Sequence, residues 1–285
     1  MMRYLLLLGW SLFFCLPFSA SATVEPESKL MTQKYMPSVP VSSYKYDYKE
    51  SAKGQATIDF EYWGDHGKTE RQYQIYLPSE YHSGRRYPLL VLLHGSERTG
   101  VSVVQKWIPL AEKIGIVLLG PSHPDRDWPL TKEEVKIEAD IIEAMVEQVQ
   151  EKIAVDPRRT YIFGTSSGGD LALYMTFLKP YLFASIAVHD AYLRNMEDYL
   201  RAEEPDHKIP VAFIAGTNDR RAPIDKVRDS ADFLARQGHF VLLIEFLGHN
   251  DWYYTIASEI NAKAIRFMSL YKNGVNKKDD RSPIY

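Results

Sequence analysis

The chain has 285 residues, with 34 Lys and Arg against 37 Asp and Glu, a net charge of −3, 45% hydrophobic residues and one cysteine. That length suits one large domain or two small ones, and near-neutrality leaves no electrostatic footprint for nucleic acid or an anionic lipid surface. A single cysteine excludes an intrachain disulfide framework and a cysteine-rich zinc site, and the recurring apolar runs exclude wholesale disorder.

The first segment carries Arg3, an apolar stretch over residues 4–18, and then Ala20-Ser21-Ala22. This is the three-part pattern of a cleavable secretory signal over residues 1–22, and the apolar stretch is short for a membrane span. An uncleaved N-terminal anchor is the competing reading. Cys15 follows two phenylalanines and lacks the small residue that lipid attachment would want before it. Cleavage after Ala22 would remove it. The expectation is a secreted or periplasmic product with no membrane anchor once the signal is gone.

Residues 23–53 are polar and interrupted by Pro26, Pro37 and Pro40, which predicts an exposed arm or linker. Its alternating Tyr44, Tyr46 and Tyr48 decorate that arm or form an edge strand. A single domain is expected over residues 54–272, with a polar tail over 273–285. Ile58, Phe60 and Tyr62 alternate with polar residues, as do Tyr73, Ile75 and Leu77 beyond a turn at residues 64–67. That pattern predicts a hairpin with one buried face.

Beyond it the strand type changes. Short continuous apolar runs lie at residues 88–94, 115–120, 160–164, 183–189, 210–216 and 239–246, as in parallel strands covered on both faces. Helical periodicity lies between most of them, clearest at Val135, Ala139, Ile142, Val146 and Val149, and weaker over residues 102–113, 168–178, 224–237 and 253–271. The predicted fold class is α/β: a mostly parallel, doubly wound sheet with an antiparallel N-terminal hairpin and helices on both faces.

Ligands in such sheets meet the carboxyl ends of the strands. There, residues 160–163 lead into Gly164-Thr165-Ser166-Ser167-Gly168-Gly169 and a helix, which is G-x-S-x-G in its strand–turn–helix setting. The tight turn needs glycine two residues either side of Ser166, and it holds the serine beside orphan N–H groups of the helix. A glycine-rich turn that merely packs closely would show the same motif, so the surrounding residues decide. A serine hydroxyl needs a base, and the base needs an orienting carboxylate, in the chain order Ser, acid, His. Asp219 follows the strand at 210–216, and His249 follows the strand at 239–246. Ser166 is therefore assigned as nucleophile, His249 as base and Asp219 as acid. Asp190 is the rival acid, and His123 and His189 the rival bases. The oxyanion donors are expected from the N–H groups of Ser167 and of Ser96, in His94-Gly95-Ser96 after the first long strand, with Glu97 as the fallback. His94 fits a structural role.

These segments resemble the α/β-hydrolase family, and more narrowly its secreted polyhydroxybutyrate-depolymerase-like and feruloyl-esterase-like branch. The resemblance rests on Tyr76-Leu77-Pro78-Ser79, residues 87–95, residues 155–159, residues 164–169, Gly216-Thr217-Asn218-Asp219 and Gly248-His249. It implies a serine hydrolase of carboxylic esters, small-molecule or polymer-borne, acting through an acyl-serine. The chain departs from it at His189-Asp190, where such esterases often carry small residues. Glu97, His189, Asp190 and Trp252 are candidate substrate-binding residues. Trp107, Trp128, Tyr192 and Tyr253 either line an acyl pocket or pack in the ordinary way, and residues 190–209 form a small cap or a connecting helix. Asp125, Arg126 and Asp127 read as a solvated loop. No metal-binding motif, phosphate-cradling loop or dinucleotide fingerprint is present in the sequence, so neither metal nor cofactor is expected. A peptidase or acyltransferase with the same triad, and a catalytically silent binding protein on the same fold, remain open readings.

Overall fold

The computed structural model describes residues 29–37, 54–65, 67–129, 131–194 and 207–274. The expected signal, the tyrosine alternation at 44–48, most of the candidate cap and the end of the tail lie outside those residues.

Among the described residues, nine strands form one sheet in the order β1-β9-β8-β7-β6-β4-β5-β3-β2. β2 (Gln55–Gly64) and β3 (Gly67–Tyr76) make the expected hairpin, and β3 runs antiparallel to β5 (Val117–Ser122). All other pairings are parallel: β4 (Tyr87–Leu93), β6 (Val155–Thr165), β7 (Ser185–His189), β8 (Val211–Gly216) and β9 (Val241–Phe246) form the centre. Their apolar runs follow from this position. Leu89 to Leu93, Ile186 to Val188 and Val211 to Ile214 are all fully enclosed, because helices cover both faces.

α2 (Lys132–Lys152), α3 (Ser167–Leu178) and α4 (Ile224–Arg236) pack on one face; α1 (Gly100–Ile114) and α5 (Ala257–Met268) pack on the other. In α2 the positions Val135, Ala139, Ile142, Val146 and Val149 are buried, as the three-and-four spacing requires. Glu133 and Glu134 in its first turn and Lys152 in its last complement the helix dipole. Truncating Ile142 to alanine in this stripe would cost about 2–5 kcal/mol.

One element departs from the sequence expectation. Leu30–Tyr35, inside the segment read as a polar arm, is strand β1, and it extends the sheet by parallel pairing with β9 from Leu30↔Val241 to Tyr35↔Phe246. Its side chains are mostly exposed, so backbone hydrogen bonding holds it where apolar patterning could not announce it. Among the described residues, no helix is long and apolar enough to cross a membrane.

Candidate functional site

The central parallel strands end on one side of the sheet, and Ser96, Ser166, Asp190, Asp219 and His249 lie just beyond those strand ends. The backbone is strained there. Among the described residues, four non-glycine positions have positive φ: Glu97, Arg126, Ser166 and Asp190. They follow β4, β5, β6 and β7 respectively. Strain of about 1–3 kcal/mol per residue persists only where surrounding structure enforces it, and such residues gather at functional sites.

Ser166 sits at φ 53 and ψ −126, between β6 and the first turn of α3. The turn closes so tightly that a Cβ on Gly164 would lie 2.2 Å from Gly168 O, and one on Gly168 would lie 2.3 Å from His94 O. Neither backbone atom can retreat without moving a strand end, which explains both glycines. Gly95 is packed beside the serine without such crowding: a Cβ there would stand 3.4 Å from the Ser166 Cβ, an ordinary contact. The Ser166 N–H donates to His189 O at 2.9 Å, and the Ser166 carbonyl accepts from Gly169 and Asp170 to start α3. The half-exposed serine is thus pinned between β7 and the helix, next to the loop after β4.

That loop is rigidly seated. His94 is buried, stacks 4.8 Å from the Trp128 ring, and places Nδ1 2.9 Å from Gly95 O. Burial pushes its pKa down to about 4, so the ring stays neutral and plays the structural part expected of it. Trp128 donates its indole N–H to His94 O at 2.7 Å. Glu97 N–H donates to Arg126 O at 2.7 Å, and Arg126 Nη2 donates to Glu97 O at 2.8 Å, so two left-handed residues clasp each other. Glu97 N–H is therefore committed to Arg126 and is not free to act as the fallback oxyanion donor. The Glu97 side chain is exposed to solvent.

Sequence reasoning missed Asp127, which read as part of a solvated loop. Its Oδ1 lies 2.9 Å from Ser96 Oγ, which in turn lies 3.2 Å from Ser167 Oγ. Burial would raise the Asp127 pKa, but the Ser167 and Ser96 hydroxyls and the Trp128 N–H outweigh it and hold the group ionised. One carboxylate thereby ties together the side chains of both expected oxyanion donors. Only the adjacent Trp128 hinted at it in the sequence. Of the other aromatics, Trp107, Trp128 and Tyr253 are buried packing residues.

The base and the two acids converge under the neighbouring loops. His249 follows β9, and its carbonyl accepts from Asn218 N–H at 2.8 Å, joining the loops after β8 and β9. Gly216 permits that approach, since a Cβ there would be 2.3 Å from His249 O. Asp219 receives the N–H groups of Arg221 (2.6 Å) and Ala222 (3.0 Å) on Oδ1 and keeps Oδ2 without a partner. His249 is fully enclosed and its pKa is lowered by burial, against the opposing pull of the Asp219 charge. Both its ring nitrogens lack a hydrogen-bond partner, so the Ser166–His249 hydrogen bond is not formed in this conformation.

His189 and Asp190, taken from the sequence as candidate substrate contacts, are almost wholly buried and offer substrate no surface here. Asp190 accepts from Gly216 N–H at 3.2 Å. Burial first, and then the Asp219 carboxylate, push its pKa well above the usual carboxylate range. An acid that is neutral is a poor orienter for an imidazolium, which favours Asp219 over Asp190 in that role. His123, the other rival base, has its Nε2 3.5 Å from Glu138 Oε1 and its ring 5.9 Å from that of Trp128. Trp252 lies beside the His249 loop, with the Arg98 guanidinium 5.2 Å over its ring. That contact bridges the loops after β4 and β9.

A mostly parallel sheet covered by helices, with a strained serine on a strand-to-helix turn, defines the α/β-hydrolase fold. The family described as "Putative esterase" matches residues 66–254, and the chain belongs to this esterase family. A rice (Oryza sativa subsp. japonica) protein described as a probable inactive carboxylesterase is 30% identical over 151 residues, covering 49% of this chain and 60% of its own length. Among solved structures, a thermostable esterase superposes with a TM-score of 0.61 at 21% identity, over 76% of this chain and 63% of its own. A ferulic acid esterase from Anaeromyces mucronatus superposes with a TM-score of 0.57 at 19% identity, over 75% and 92%. The chain thus spans less than two thirds of the rice protein and of the thermostable esterase. At these identities the structural likenesses speak for the fold.

Proposed function

We propose that the chain is an exported serine hydrolase that cleaves carboxylic esters through an acyl-serine intermediate. The observation that carries the reading is Ser166 itself, held at a strained φ between β6 and α3 with Gly95 packed against it. A residue kept there against about 1–3 kcal/mol of strain fits an aimed nucleophile better than a simple turn.

In this reading the Ser166 Oγ attacks the ester carbonyl while His249 takes its proton, and the new oxyanion accepts the N–H groups of Ser96 and Ser167. His249 then returns the proton to the departing alcohol. Water, deprotonated by the same imidazole, releases the acid and restores the serine. Asp219 orients the ring and offsets its positive charge. The reaction needs His249 to turn toward Ser166, an adjustment of the kind often made only when substrate arrives. Export rests on the signal pattern over residues 1–22.

The test is hydrolysis of a simple aryl ester by the purified protein. Ser166→Ala should lower kcat/KM by on the order of 10³-fold or more. A variant as active as the parent would end the proposal. The similarity to a rice protein described as inactive, together with the unpartnered His249, favours one second reading: a silent binding protein on the same fold. Absence of turnover on any ester, amide or alcohol acceptor, with tight ligand binding retained, would mark that case. Turnover of amides, or acyl transfer to alcohols, would instead indicate a peptidase or acyltransferase.

A further inference from the structure

Behind Ser166 lies a concentration of unsatisfied buried polarity. His189 Nε2 and both ring nitrogens of His249 are enclosed and have no hydrogen-bond partner, while the Oδ2 atoms of Asp190 and Asp219 meet only the proton that the Asp190 carboxyl can share with Asp219. Leaving one such nitrogen unmet costs about 1–3 kcal/mol, so three in one place call for an occupant. Donor atoms of His189, Asp190 and His249 all lie within 4.8 Å of one another.

We propose that His189, Asp190 and His249 form a binding site for a single transition-metal ion of the zinc class, which acts as an inhibitor rather than a cofactor. The ion would claim the imidazole read above as the catalytic base, so its inhibitory effect rests on that reading, whereas its binding does not.

The geometry fits in three respects. His189 Nδ1 is 3.2 Å from Thr165 Oγ1, an outer partner that fixes the ring and turns Nε2 inward, as metal-binding histidines require. His189 Nε2 then stands 3.1 Å from Asp190 Oδ2 without hydrogen-bond alignment. Two donors bound tetrahedrally at zinc distances of 2.0–2.2 Å are about 3.3–3.6 Å apart, so these atoms need part by only a few tenths of an ångström to span one edge of such a polyhedron. Three atoms no more than 4.8 Å apart lie within about 2.8 Å of a common centre, so each must move by only about 0.7 Å to reach bonding distance. The ion would displace the proton that Asp190 otherwise holds, and the resulting set of two imidazoles and a carboxylate suits zinc or cobalt more than magnesium or calcium, which prefer all-oxygen cages. No spacing along the chain marks this site, because His189-Asp190 and His249 are far apart and match no metal-ligand pattern.

The test is titration of the chelator-treated, full mature protein with Zn²⁺ by calorimetry, and with Co²⁺ by the visible absorption of a tetrahedral site. One ion per chain should bind, at about micromolar affinity or tighter. His189→Gln and Asp190→Asn should each weaken it by about tenfold or more, while Ser166→Ala should bind as the parent does. If His189→Gln fails to fold by circular dichroism, Asp190→Asn and His249→Gln carry the comparison. No binding tighter than about 100 µM, or affinities within about threefold across the folded variants, would overturn the proposal. In the same samples, Zn²⁺ should inhibit ester hydrolysis over the range in which it binds, and EDTA should restore activity. An active enzyme that binds the ion but is not inhibited would overturn the inhibitory role. A protein that binds the ion but never hydrolyses an ester would count against the functional proposal and leave the site standing.

Discussion

Gly216→Ala offers a test of how His249 is placed, without touching any residue of the proposed chemistry. The alanine Cβ would lie 2.3 Å from His249 O, 2.7 Å from His249 C and 2.8 Å from Asn250 O. Ordinary contact would require the His249 backbone to retreat by about 1 Å, since close-packed interiors have little slack. The Asn218 N–H bond to His249 O, now 2.8 Å, stretches with it. A displacement of about 1 Å in a catalytic group costs about 10²-fold in rate, equivalent to about 2.7 kcal/mol of barrier. Overpacking of this kind costs about 1–3 kcal/mol of stability. The expected outcome is a folded protein with a lowered Tm and kcat/KM reduced about 100-fold on an aryl ester. Gly274→Ala, which meets nothing within 4 Å, is the control and should match the parent in both measurements. A folded Gly216→Ala protein with kcat/KM within about threefold of the parent would refute the claim that this contact positions the base.

Other outcomes follow from the same site. Asp219→Asn should cost about 10⁴-fold in kcat, whereas Asp190→Asn should cost far less, because an amide imitates a neutral acid; steady-state kinetics showing the reverse order would transfer the orienting role to Asp190. Trp128→Phe removes the donor to His94 O and should lower kcat about tenfold with little change in KM, and stability by about 1–2 kcal/mol. Two stability slopes should have opposite signs. The Asp170 pKa is pushed up to about 6, chiefly by burial and against the pull of Arg194, so its contribution is full below about pH 4 and is lost as pH rises through 6. The buried His94, pushed down to about 4, contributes fully above about pH 6.5 and loses that contribution as pH falls toward 4. Melting curves between pH 4 and 7 should therefore show Asp170→Asn gaining on the parent as pH rises, and His94→Gln gaining as pH falls, each by on the order of 2–3 kcal/mol. Parallel curves would contradict both assignments.

The fold was legible because its centre is a parallel sheet. Buried strands need unbroken apolar runs, and covering helices need a three-and-four stripe, so residues 210–216 and the α2 positions announce themselves. The strand–turn–helix setting of Ser166 was legible for a steric reason, since only glycine fits at 164 and 168. Three features were not. β1 is held by backbone pairing and leaves its side chains in solvent, so no pattern marks it. Asp127 reaches the two serines through a loop whose course is set by Arg126 and Glu97 clasping each other, a contact between separate strand ends. The burial of His189 and Asp190 depends on the loops after β8 and β9 closing over them. Sequence placed them at the right strand end but could not give their depth.

The central claim is that Ser166 is an activated nucleophile, and covalent labelling tests it most directly. A fluorophosphonate probe reacts only with a serine whose proton a neighbouring base can accept. Intact-mass and peptide mapping after incubation should show one adduct per chain on the peptide carrying Ser166. The adduct should be absent in Ser166→Ala and greatly slowed in His249→Gln. A folded parent protein that takes up no probe, or takes it up elsewhere at the same rate in both variants, would contradict the account.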